Sequence, residues 1–134
     1  MNPRASVACF NLALAIALGA FGAHALQARL AAEMMTIFHT GSEYHLIVGA
    51  LLLALSWQKA VPKWFLICGF AGTLFFSGSL YALAITGTRI WGAVTPLGGV
   101  TWIVSLLVLA FKLAPIGGRN RNMEQLNGEN RSGD

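Results

Sequence analysis

Phe75-Phe-Ser-Gly-Ser-Leu-Tyr-Ala-Leu-Ala-Ile-Thr-Gly87 decides the fold. The stretch is apolar enough for lipid, yet two serines, a glycine and a tyrosine fall within five residues. A helix that only filled lipid would not need them. The stretch ends an uncharged run, Trp64–Thr86, of twenty-three residues. At about 1.5 Å of rise per residue such a run crosses the hydrocarbon of a bilayer, about 30 Å thick.

The rest of the chain has the same character. Of 134 residues, 56% are hydrophobic and 10% are charged, and the mean hydropathy is +0.64. Soluble domains carry about 25% charged residues. Lipid is therefore the expected solvent, and there every backbone polar group must be paired internally, in helices or a closed barrel. The runs are continuous, without the alternation of a barrel strand, so the fold class is all-α.

Four spans are expected. Ala5–Ala23 is the first, nineteen residues without a charge. A cleaved signal peptide, with Ala23-His24-Ala25 as the cleavage site, is its alternative. Three further apolar segments make this a membrane protein either way. Tyr44–Trp57, the second run, is short and must recruit part of Thr36–Glu43 to cross. Trp64–Thr86 is the third. Pro96–Phe111 is the fourth, with Thr95 as cap and Pro96 at the first helical position. Between the first two, Leu26–Phe38 has the spacing of a short amphipathic helix lying at the interface. Its alternative is one long helix running into the second span. Residues 1–114 thus form a four-helix transmembrane bundle. The polar segment 115–134 is expected to be a disordered cytoplasmic tail.

The formal net charge is +4. The cations sit at loop positions and no helix carries a basic stripe, so they read as topology signals and not as a nucleic-acid footprint. Seven of them, Arg4, Lys59, Lys63, Lys112, Arg119, Arg121 and Arg131, fall on one side of a four-span arrangement, against Arg29 and Arg89 on the other. Both termini are accordingly expected in the cytoplasm, across a bacterial inner membrane. Cys9 and Cys68 lie inside apolar runs and show neither disulfide nor zinc spacing.

Small residues mark helix contacts. Asn11, Ala15, Gly19 and Ala23 recur every four residues on the first span. In the third, Gly69, Thr73 and Ser77 form one small face, and Gly78, Ala82 and Thr86 another, with Ser79 beside them. Gly98 and Gly99 follow the Thr95-Pro96 entry. Such positions let helices approach closely, with hydroxyls bonding across. Ser77 and Ser79 lack a base placed by spacing, and no nucleophile elbow is present.

Ionisable residues gather toward the outer ends of the first three spans: His24, His39, Glu43 and His45, with Tyr81 near them. In lipid such groups are costly, which makes the cluster a candidate ligand or proton site. No His-x-x-x-His or His-Glu-x-x-His spacing supports a metal.

Three stretches resemble a known family: Gly19-Ala-Phe-Gly-Ala-His24, Phe76-Ser-Gly-Ser-Leu-Tyr81 with Thr86-Gly87, and Thr95-Pro-Leu-Gly-Gly99. Thr40-Gly-Ser-Glu-Tyr-His45 is a weaker fourth. Together they resemble the YgdD-type small inner-membrane proteins, a domain-of-unknown-function family with eukaryotic relatives. The likeness covers roughly residues 5–112. It implies a four-helix integral membrane protein without an established activity. The family pattern places a histidine just before the leucine run, where this chain has Val48.

The functional expectation is a non-catalytic accessory or structural component, with no cofactor. Its partners would be the bilayer and a larger membrane complex or a second copy, and not nucleic acid. The alternatives are a small proton-linked carrier using the His/Glu cluster, and a membrane enzyme with a histidine-bound metal.

Overall fold

The computed structural model describes residues 2–114. The expected tail, 115–134, lies outside the described residues. Those described form four helical rods joined by short connections, and no strand occurs among them.

Helix α1 (Pro3–Phe21) starts on an Asn2 cap whose side-chain oxygen accepts from the Arg4 amide at 3.2 Å, with Pro3 in the first turn where its missing N–H costs nothing. It continues through a π-helical turn, Gly22–Leu26, marked by the Gln27 amide donating to the Gly22 carbonyl at 3.1 Å. Helix α2 (Ala32–Ser56) follows. Helix α3 (Lys63–Thr73) is entered from Pro62, widens into a second π turn at Leu74–Gly78, and runs on as α4 (Ser79–Thr86). This rod ends at Gly87, whose φ of 68° is the left-handed cap that a side chain would oppose. Helix α5 (Ile90–Leu113) completes the bundle.

Three of the rods, Pro3–Leu26, Lys63–Thr86 and Ile90–Leu113, are long and apolar enough to cross a membrane. Helix α2 is as long, but it holds Glu33, His39, Glu43 and, just past its midpoint, His45.

Two local expectations are corrected. The segment expected as a separate interfacial helix, Leu26–Phe38, is divided: Leu26 ends the π turn, residues 27–31 connect, and from Ala32 onward it is the first part of α2, where nothing interrupts the helical ladder. Helix α5 begins at Ile90, before the expected Thr95-Pro96 start, and Pro96 lies inside it. The Thr95 hydroxyl caps nothing. With the Ser79 proton on the Phe76 carbonyl at 2.9 Å, it donates to the Ser79 hydroxyl on α4 at 2.7 Å and lies 3.3 Å from the Trp91 carbonyl. Pro96 is the seventh residue of the helix, past the first four whose N–H groups lack partners, so it leaves the Gly92 carbonyl without its helical donor.

Helices pack in chain order: α1 on α2, α2 on the α3–α4 rod, and that rod on α5. At one end of the bundle, Asn2 Nδ2 donates to the Ser56 carbonyl at 3.3 Å and Arg4 Nη1 to the Val61 carbonyl at 3.4 Å. At the other, Gly22 lies against Phe38, which a Cβ there would strike at 2.5 Å. Helix α2 therefore runs antiparallel to α1 over its whole length. The first end carries Arg4, Lys59 and Lys63, with Lys112 Nζ 5.5 Å from the Trp64 ring centre.

The closest approach is between the α3–α4 rod and α5. A Cβ on Gly98 would run into the Phe76 backbone nitrogen and come within 2.6 Å of the Gly72 carbonyl oxygen. The Trp102 indole N–H donates to the Gly69 carbonyl at 3.1 Å and its ring fills the space a Gly72 side chain would need. Phe76 and Trp102 pack with ring centres 4.8 Å apart, and Tyr44 joins them from α2.

Candidate functional site

The buried stripe of α2 repeats at three and four residues: Phe38, Gly41, Ser42, His45, Gly49, Leu52 and Ser56. His45 lies at its centre, 4% exposed. Gly41 and Gly49 stand one turn before and after it. They let neighbours close in, since a Cβ on Gly41 would lie 3.1 Å from Leu80 Cβ, and one on Gly49 3.2 Å from Asn11 Nδ2.

Both ring nitrogens of His45 are engaged. Nε2 lies 3.3 Å from Asn11 Oδ1 on α1, and Nδ1 lies 3.3 Å from the Tyr81 hydroxyl on α4. The amide oxygen can only accept, so Nε2 carries the proton. Nδ1 then accepts from the tyrosine O–H, and the imidazole is neutral with a single defined tautomer. The Ser42 hydroxyl, one turn before His45, is 5% exposed and lies beside Gly19 of α1. The Tyr81 ring packs on Phe38 with centres 4.8 Å apart. One polar chain thus ties together α1, α2 and α4.

A cleft of about 350 Å³ opens above this chain. Asn11 and Leu14 of α1 form one wall, Thr73, Gly78 and Tyr81 the other, with His45 at the base. Asn11 Nδ2 and Ser77 Oγ are buried without a hydrogen-bond partner among the described residues.

The other members of the expected cluster are elsewhere. His24 is exposed in the first π turn, and His39 and Glu43 are exposed on α2, off its buried stripe. His39 lines a separate shallow cleft with Gln27. Among the described residues no three His, Cys, Asp or Glu side chains are grouped to hold a metal ion. The cluster read from the sequence therefore divides: His45 and Tyr81 come together, while His24, His39 and Glu43 do not join them.

The packing residues divide too. Asn11, Ala15 and Gly19 face α2, with Ala15 fully buried. Gly22, in the π turn, is buried there in place of the exposed Ala23. Gly69, Thr73, Ser77 and Ser79 are all buried, and Gly98 sits in the closest crossing. Gly99 makes only ordinary contact with the Phe76 ring, at 3.6 Å. Gly78 is a correction. A Cβ there would meet only Leu74, at 3.6 Å, so it is not a close-contact position. The π turn is the reason: one extra residue rotates everything after it by about 100° relative to an unbroken α-helix. Gly41, Gly49, Gly72 and Ser42 were missed. The spacing Gly41-x-x-x-His45-x-x-x-Gly49 would have revealed the first two.

Most hydroxyls are satisfied within their own helices. Thr73, Thr101 and Ser105 each donate to a carbonyl four residues earlier, and Ser79 to one three residues earlier. Asn11, His45 and Tyr81 bond between helices, as does the Ser79–Thr95 hydroxyl pair.

An apolar helical bundle around one neutral polar chain is the class that fold and site define. By sequence the chain belongs to the family described as "Protein of unknown function (DUF423)", whose model matches residues 18–99. It is 39% identical over 108 residues to the UPF0382 membrane protein YwdK of Bacillus subtilis, covering 74% of this chain and 85% of that relative. It is 41% identical over 106 residues to the UPF0382 inner membrane protein YgdD of Escherichia coli K12, covering 73% of this chain and 81% of YgdD. No solved structure matches the fold.

Proposed function

We propose that this chain is a four-span integral protein of a bacterial inner membrane that works as a non-catalytic packing component beside a larger complex. Membrane placement is supported by the three long apolar rods and by the names of the relatives YwdK and YgdD. A fourth span is supported by the pairing of α1 and α2. Both ends of α2 are tied to the two ends of α1, so wherever α1 crosses, α2 crosses back. The polar half of α2 turns His45 and Ser42 inward, and neighbouring helices satisfy His45 and lower the cost of its burial. Arg4, Lys59, Lys63 and Lys112 at one end, against Arg29 and Arg89 at the other, orient both termini to the cytoplasm.

The observation that carries the non-catalytic reading is the engagement of His45. Its two nitrogens are both held by neutral side chains of other helices, the arrangement of a polar clamp in an apolar medium. The test is purification from native membranes in a gentle detergent, with identification of co-purifying chains. A stoichiometric larger partner is expected. Recovery of a lone chain that drives proton flux in liposomes would overturn the reading.

A proton-linked carrier is the second reading, and the cleft above His45 favours it. Asn11 Nδ2 at its wall is an unused donor, available to a ligand entering beside the imidazole. His45→Phe abolishing flux in liposomes would support it.

A further inference from the structure

A second groove lies between α1 and α3, at the cationic end of the bundle. It has a volume of about 400 Å³ and is lined by Arg4 and Val7 on one side and Lys63, Leu66, Ile67 and Phe70 on the other. Its chemistry is divided along its length. Two cations stand at the mouth, and behind them the lining is aliphatic and aromatic. Phe70 also borders the polar cleft, so the trough ends where Thr73, Asn11 and His45 begin. From Lys63 to Phe70 the helix rises about 10 Å, most of the depth of one leaflet of a hydrocarbon core about 30 Å thick.

We propose that this groove seats an anionic glycerophospholipid, with the headgroup phosphate between Arg4 and Lys63 and an acyl chain along Val7, Leu66, Ile67 and Phe70. The proposal rests on the membrane placement argued above. Charge complementarity selects the ligand. The two described carboxylates, Glu33 and Glu43, both lie in the first half of α2, away from this end, so among the described residues no acid competes for these cations. Arg4 spends one N–H on the Val61 carbonyl, at 3.4 Å, and a guanidinium has four more to offer. That same bond holds the head of the side chain at the groove mouth. A zwitterionic lipid would fill the trough equally well but gain less from the two cations. Basic pockets between transmembrane helices are where anionic headgroups are held. A free phosphate would use the cations and leave the trough empty. A second copy of this chain would bring the same cations to the same place, an unfavourable pairing.

The test uses the full chain in a mild detergent, titrated with phosphatidylglycerol or phosphatidylcholine and followed by native mass spectrometry. About tenfold tighter retention of phosphatidylglycerol is expected. The Arg4→Gln/Lys63→Gln double variant should fall to the phosphatidylcholine level. Arg4→Lys/Lys63→Arg should keep the preference, and so should Arg89→Gln at the far end of the bundle. Ile67→Trp, which fills the trough and leaves the cations in place, should lose retention of both lipids. Melting of each variant without lipid establishes that it is folded. Equal retention of the two lipids by the parent chain, or an unchanged preference in the double variant, would overturn the proposal. So would full displacement by inorganic phosphate in a protein indifferent to Ile67→Trp, or a dimer that excludes lipid from the groove. Alkaline extraction of reconstituted vesicles separates the two levels of inference. Release of the chain would defeat the membrane placement itself. Retention without a lipid preference would defeat only this site.

Discussion

The two sides of the α3–α4 rod solve the same packing problem differently. Toward α5 the contact is dry and made by absence: Gly72 and Gly98 lack side chains, the backbones close in, and Trp102 fills the remaining space while its N–H reaches the Gly69 carbonyl. Toward α1 and α2 the contact is polar and made by presence: Tyr81, His45 and Asn11 bridge helices that stay far enough apart to leave a cleft of about 350 Å³. In lipid, burial of apolar surface drives little helix association, because the tails are as apolar as leucine. Close packing and interhelical hydrogen bonds remain: the α5 side combines glycine contacts with the Trp102–Gly69 and Ser79–Thr95 bonds, and the other side relies on the Asn11–His45–Tyr81 chain. The dry side offers nothing titratable. Any ligand chemistry belongs to the polar side.

The largest effect that would separate the two sides is expected from Gly98→Leu. Its side chain would collide with backbone at Phe76 and Gly72, which cannot move aside as a flexible side chain can. A loss of about 3 kcal/mol or more, or no recoverable folded protein, should appear in detergent unfolding. His45→Phe comes next. It strands Asn11 Oδ1 and the Tyr81 hydroxyl at once, at a cost of about 1–3 kcal/mol. Adding Asn11→Leu and Tyr81→Phe to that variant should recover part of the loss, since apolar replacement of every partner removes the unmet groups. No recovery in the triple variant would mean that the chain is not a polar clamp. Thr95→Val removes the partner of Ser79 across α4 and α5 and should cost about 0.6–1.7 kcal/mol, the range of single hydrogen bonds between membrane helices. Gly78→Ala is the smallest. With only Leu74 within reach, at 3.6 Å, it should be neutral or stabilise by about 0.4–1 kcal/mol, read as a shift in melting temperature. A loss as large as that of Gly98→Leu would restore Gly78 as a packing position.

The rods themselves were legible from composition, because long uncharged runs in a chain with 10% charged residues leave little choice but helix. Family membership was legible in the three glycine- and serine-bearing stretches. Asn11, Ala15, Gly19, Gly69 and Gly98 were recognised as contacts, since small residues at helical spacing speak for themselves. His45 was placed among candidates with His24, His39 and Glu43, while its partner Asn11 was read as a packing residue able to hydrogen-bond to a neighbouring helix, with no link drawn to His45. Sequence spacing relates residues on one helix. The bond from His45 to Asn11 joins residues 34 positions apart and depends on how α1 lies against α2.

The sequence by itself pointed to an all-α chain of long uncharged runs and to the separation of its cations toward one end; it counted four spans, of which three rods are long and apolar enough to cross a membrane. Hydropathy and charge are additive along a chain and need no neighbour to be read. Tertiary structure alone decided that α2 begins at Ala32, that Pro96 falls inside a helix, and that π turns at Gly22–Leu26 and Leu74–Gly78 rotate the faces beyond them. It also decided which of the polar side chains meet. A single extra residue in a turn moves every later side chain by about 100°, and only the packing of one helix on another settles where that residue is placed.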